Sequence, residues 1–275
     1  MSPKPQVHSS KANPSLLSSK ANPSLLKMTK QVLPDWSPTG QPKRQGNAAS
    51  RNSPDFSETG QPGSHGGGAA RNLQSCPLVD IPLTVLAPVT ANYGGHTTQA
   101  TPSLWVYVPF ALNANNPVTF SLLDNNYNPL YDSFQVIDHG PGILKFSLPD
   151  EVVLEPEQVY RWFFMVHCDD PLGIRTPLMV EGWVRRVADP LPESENDNLL
   201  LPEQRIERSN QYANRLVWYD ALNLLGEGLL EQPDNPQLIP CLDELLGYPS
   251  VQLQELSSVP LRDCCVLQEH QDALN

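Results

Sequence analysis

The chain has 275 residues, of which 39% are apolar, 17% are charged and 29 are proline. That length holds one ordinary domain with an appendage and a tail, and this composition excludes wholesale disorder. No stretch approaches the roughly 18 consecutive apolar residues of a membrane span. The formal net charge of −12 is split unevenly: residues 1–75 carry nine Lys and Arg against three acids, and residues 76–275 carry nine against 27. A basic segment therefore precedes an acidic body, and that body would repel the phosphates of a nucleic acid.

Residues 1–75 read as a disordered, basic, low-complexity tail built from duplications. The nonapeptide Ser9–Leu17 returns at once as Ser18–Leu26, and Pro34–Pro42 returns in altered form as Pro54–Pro62. Two copies rich in Pro, Gly and Ser give no apolar face to stack, so a solenoid is not expected. No apolar core of 7–15 residues follows Lys4, so no signal peptide is read from the sequence.

Residues 76–188 change to short alternating runs separated by Asn, Asp, Gly and Pro, the pattern of an antiparallel β-sandwich of immunoglobulin-like type. The strongest run, residues 158–168, puts Tyr160, Trp162, Phe164 and Val166 on one face, with Arg161, Phe163, Met165 and His167 on the other. The run at 178–186 sets Val180 and Val184 against Met179, Glu181 and Trp183. Residues 189–200 form an acidic linker.

A helical hairpin is expected over residues 201–250. Pro202 stands at the tolerated first helical position. Ile206, Ala213, Leu216, Val217, Ala221, Leu224 and Leu225 recur at helical spacing as one stripe. Asn235 and Pro236 start a second helix, carrying Leu238, Ile239, Leu242, Leu245 and Leu246. Such a hairpin cannot bury its stripe alone and should pack on the sandwich or on a partner. Residues 251–275 read as a C-terminal tail.

Several motifs together resemble one family: Gly66 to Arg71 with Cys76-Pro77, Leu83 to Pro88, Pro102 to Pro109, Tyr160-Arg161-Trp162 with Cys168, Val180 to Arg186, and Trp218 to Leu222. The family is the cyanobacterial domain of unknown function 928, and the resemblance covers about residues 58–250. It implies a small β-rich domain with a helical extension, often exported behind a signal peptide, and no known activity. The chain departs from the pattern at its N-terminus, where no export signal is visible and the Gly-rich motif is doubled.

The five cysteines form no Cys-x-x-Cys pair. Cys76 precedes the first strand and Cys168 ends the strongest one. In an exported sandwich they could pair as a disulfide; otherwise they stay free thiols. The vicinal Cys264 and Cys265 fall in the tail. A zinc set from Cys241, Cys264, Cys265 and His270 lacks the usual spacing. His65-Gly66-Gly67-Gly68 resembles an esterase oxyanion loop, but no Gly-x-Ser-x-Gly elbow accompanies it. No catalytic residue, metal ligand or cofactor is assigned.

Trp105, Tyr107 and Trp183 are candidates for an exposed aromatic binding surface, with core packing as the alternative. Trp105 and Tyr107 share a face opposite Leu104, Val106 and Val108, which the hairpin is expected to cover. Arg161 and Glu181 lie inside strands and are expected to pair with polar neighbours as structural groups. Three functional readings follow. The first is a non-enzymatic protein-interaction module, in the envelope if exported. The second is a self-assembling structural protein joined through the hairpin. The third is a hydrolase using His139 and His167.

Overall fold

The computed structural model describes residues 76–88, 94–174, 177–191 and 200–267. The duplicated basic segment, most of the acidic linker and the last eight residues lie outside the described residues. Over the described residues the fold is mixed and mainly β, with two sheets and three α-helices.

The strands in chain order are β1 Thr84–Val85, β2 Gly95–Thr97, β3 Ser103–Val108, β4 Val118–Leu123, β5 Pro129–Gln135, β6 Gly142–Ser147, β7 Val159–Val166 and β8 Leu178–Arg186. Helices α1 Pro202–Ala213, α2 Trp218–Glu231 and α3 Leu238–Leu246 follow, then β9 Leu261–Val266. One sheet runs β1-β3-β6-β9 and the other β2-β8-β7-β4-β5.

Two pairings depart from the antiparallel expectation, since β2 runs parallel to β8 and β9 parallel to β6. Both sit at sheet edges. The β9 pairing also replaces the expected tail, because residues 261–266 close an edge of the first sheet. Their half-buried sequence, with one Leu, one Val and two Cys, carries little strand signal.

The strand alternation of β7 is as read: Tyr160, Trp162, Phe164 and Val166 are buried and the intervening residues are half-buried. They meet Val118, Phe120 and Leu122 of β4 and Val180 and Val184 of β8 in one core. Leu104, Val106, Leu144 and Phe146 of the other sheet join the same core. Phe146 and Phe164 touch across the two sheets with ring centres 4.8 Å apart. Each such buried aromatic contributes on the order of 2–3 kcal/mol relative to exposure. Gly182 leaves room for Trp162, whose ring atoms would lie 2.3 Å from a Cβ there.

The single long stripe expected from residue 206 to 225 is two helices. The chain turns at Leu216, with φ of 62°, and the Val217 N–H returns to the Tyr212 carbonyl at 3.0 Å. Ser209 then donates to the Ala221 carbonyl at 2.9 Å, tying α1 to α2. Before α3, which starts at Leu238 rather than at the expected Pro236, the Asn235 side-chain oxygen accepts from the Gln237 and Leu238 N–H groups.

Helix α2 explains the motif Trp218 to Leu222. The Trp218 indole donates to the Leu86 carbonyl at 2.9 Å, and the Tyr219 hydroxyl donates to the Trp183 carbonyl at 2.8 Å. The Trp162 indole donates in turn to the Tyr219 hydroxyl at 3.3 Å. Asp220, only 4% exposed, accepts from the Thr98 N–H and hydroxyl beside β2. Burial pushes its carboxyl above the ordinary value, against the pull of those hydrogen bonds. Further along α2, Glu227 pairs with Lys145 of β6 at 2.8 Å. One helix thus locks onto both sheets.

Candidate interaction surface

The two sheets treat their outer faces differently. On the β1-β3-β6-β9 sheet, Trp105 sits on the face of β3 opposite Leu104 and Val106, and it is fully buried in the core against α2. Its indole donates to the Asn223 side chain, and its ring lies where a Cβ on Gly226 would meet it at 2.6 Å. Trp105 therefore packs structurally and is removed from any exposed row. Tyr107, two residues on, is half-buried on that sheet.

The outer face of the β2-β8-β7-β4-β5 sheet is more open. Cross-strand register places Arg161 opposite Trp183, Phe163 opposite Glu181 and Met165 opposite Met179. Met179 is 42% exposed. The Arg161 guanidinium donates to one carboxylate oxygen of Glu181, through Nε at 2.8 Å and through its terminal nitrogen. The Trp183 indole donates to that same oxygen at 2.9 Å, and the ring is only 7% exposed, so Trp183, like Trp105, is removed from any exposed row. The expected polar pairing of Arg161 and Glu181 is thus a pairing with each other.

Three rings enclose that guanidinium: Trp183 at 4.6 Å, Tyr127 at 4.8 Å and Phe163 at 5.5 Å. Each contact is worth about 0.5–1 kcal/mol at a partly exposed position. Tyr127 is 57% exposed and has φ of 65°, a conformation that costs a tyrosine on the order of 1 kcal/mol. Asp124 holds the turn in that shape: its carboxylate accepts from the N–H groups of Asn126 and Asn128 and from the Asn128 amide. These bonds keep the Asp124 carboxyl below the ordinary value. Tyr127 and Phe163 complete the cluster but were not singled out in the sequence; a turn tyrosine shows its orientation only once the turn is folded.

The far end of the face is closed by His167. Its Nε2 lies 2.8 Å from the Thr119 hydroxyl, and its ring packs 5.6 Å from that of Phe134. Gly173 brings the following loop against both rings. Leu172 and Ile174 on that loop are largely exposed. Burial pushes the His167 imidazole below its ordinary value. His139 sits elsewhere, in an isolated bridge with Leu112.

Cys76 and Cys168 are bonded to each other, with Cα atoms 5.0 Å apart. The bridge joins the start of the described body to the end of β7. Cys241, Cys264 and Cys265 are free thiols. Among the described residues no group of three or more His, Cys, Asp or Glu is placed to hold a metal ion. No helix of the described residues is long and apolar enough to cross a membrane.

No curated protein matches the sequence closely enough to serve as a relative. A family model does match: the domain of unknown function DUF928 aligns with residues 66–261, which spans the two sheets, the three helices and the start of β9. With well over half of its length covered by that match, the chain belongs to the DUF928 family.

Proposed function

We propose that this chain is a non-enzymatic protein-interaction module, and that its partner surface is the outer face of the sheet carrying β7 and β8. The observation that carries the proposal is the difference between the two outer faces. The apolar stripe of α2 is spent inside the molecule, with Trp218, Leu222 and Leu225 buried against the core. The opposite sheet keeps Phe163, Met165, Met179 and Tyr127 in reach of solvent around an ion pair already satisfied internally. Aromatic, Met and Arg residues are enriched at protein interfaces. A guanidinium engaged by Glu181 and three rings is preorganised, which lowers the ordering cost of docking.

In architectural terms the same proposal takes the two sheets as an immunoglobulin-like sandwich, supported by the ring contact between Phe146 and Phe164. Of the two places the sequence offered, the hairpin stripe and the strand aromatics, the proposal takes the strand side, because the helical stripe has an internal use. The Cys76–Cys168 bond supports a life in an oxidising compartment, hence export.

The test is site-specific photocrosslinking in the native cell, with the crosslinker at Met179 or at Ile239 of α3, which is equally exposed. A discrete adduct to another protein from Met179 and none from Ile239 is expected. Adducts from Ile239 alone would overturn the placement. Light scattering on the purified chain separates a foreign partner from a second copy.

A further inference from the structure

The vicinal cysteines acquire a geometry that an ordinary strand would deny them. In a regular strand adjacent side chains point to opposite faces. In β9 the register against β6 slips: Lys145 faces Asp263 and Phe146 faces Cys265, so Cys264 is the extra residue of a bulge. A bulge re-aims side chains. The bulge thus places Cys264 and Cys265 side by side as two free, half-buried thiols.

Two neighbouring thiols have two obvious fates. A disulfide is disfavoured by geometry: adjacent Cα atoms lie about 3.8 Å apart, while disulfides ordinarily need at least about 4.4 Å. Closing one would distort the strand. A single atom bridging the two sulfurs demands a less close approach than a disulfide, since bonds of about 2.3 Å leave the sulfurs well separated. Soft thiolate pairs select soft, thiophilic centres.

We propose that Cys264 and Cys265 form a two-thiol binding site for one soft, thiophilic atom, trivalent arsenic being the chemical class it suits. Each thiol displaces one hydroxyl from an As(OH)2 centre. An As–S bond forms, an As–O bond breaks, and the thiol proton leaves with the hydroxyl as water. Two waters are released, and neither arsenic nor sulfur changes oxidation state. This chemistry takes neutral thiols, whereas a divalent cation requires both to be ionised first. The Cys264 thiol is held above its ordinary value, by the neighbouring Cys265 first and by burial second, so it stays neutral at pH 7. Cys241 on α3 is a single thiol and the built-in control; Cys76 and Cys168 are already bonded to each other.

The experiment uses the full chain, purified without reductant, with phenylarsine oxide as the probe. Intact mass should show one phenylarsenic per chain, and alkylation mapping should show Cys264 and Cys265 protected while Cys241 still reacts. Cys264→Ser and Cys265→Ser should each weaken the adduct by roughly 100-fold or more, the loss expected when a chelate becomes a single bond. Cys241→Ser should leave it unchanged. Unprotected alkylation of the pair, equal adducts in the single variants, or isolation of Cys264 and Cys265 already joined as a disulfide would each overturn the site.

Discussion

The outer faces of the two sheets carry similar residues and are covered in different ways. Trp105 and Trp183 are both outward-facing tryptophans on long strands. Trp105 is sealed beneath α2, with an amide as its hydrogen-bond partner and a glycine making room. Trp183 is buried as well, at 7% exposed, but beneath side chains of its own sheet, with the Arg161 guanidinium over its ring and the Glu181 carboxylate on its indole. What separates them is what covers each, a helix for Trp105 and neighbouring strand residues for Trp183. The open part of the second face is therefore Tyr127 and Met179, and neither tryptophan is available.

Substitutions on the two faces should therefore differ most in stability. Trp218→Ala removes a buried indole and its bond to the Leu86 carbonyl, and should cost about 3–5 kcal/mol in denaturant unfolding. Met179→Ser on the open face should cost under about 1 kcal/mol. Equal losses would erase the distinction between the faces.

The disulfide comes next. It closes a loop of 92 residues, and Cys76→Ser with Cys168→Ser should lower stability by about 2–4 kcal/mol, checked by the same unfolding with m-values compared. An unchanged midpoint would show that the bond does not constrain the unfolded chain.

Asp220 makes the covered side sensitive to pH. Its folded pKa is raised, so the stability it contributes is fully present below the unfolded value near 3.8 and is lost as pH rises through the folded one. In Asp220→Asn that part of the pH dependence should vanish, leaving a shallower decline from acid toward neutral pH. An unaltered slope would assign the dependence to other groups.

The smallest effect should come from Tyr127. Tyr127→Gly relieves the positive φ but removes one ring from Arg161, so stability should change by less than about 1 kcal/mol. Partner retention should nevertheless fall, because the exposed ring is gone. A variant that binds as before would narrow the surface to β7 and β8.

Much of the sheet was legible because its signal is local. The alternation of β7 follows directly from burying one face of a strand, and Pro202 and Asn235 mark helix starts through backbone chemistry that needs no distant partner. The break at Leu216 was hidden because hydrophobic spacing continues across it while the backbone reverses. The pairing of β9 was hidden because its support comes from β6, more than a hundred residues earlier, and its own sequence is half polar. The candidate surface was half legible. Arg161, Glu181 and Trp183 stand out as charge and aromatic mass within strands, but their meeting depends on the register of β7 against β8. Trp105 and Trp183 look alike in the sequence and both are buried, one under α2 and the other under Arg161.

The most direct measurement is a crosslinked pulldown from native cells with three forms of the chain: unaltered, Met179→Lys and Ile239→Lys, each first shown to unfold at the same midpoint. Loss of the retained partner with Met179→Lys and its persistence with Ile239→Lys is the result expected of an open-sheet interface. Persistence with Met179→Lys, or loss only with Ile239→Lys, would contradict it and return the partner surface to the helices.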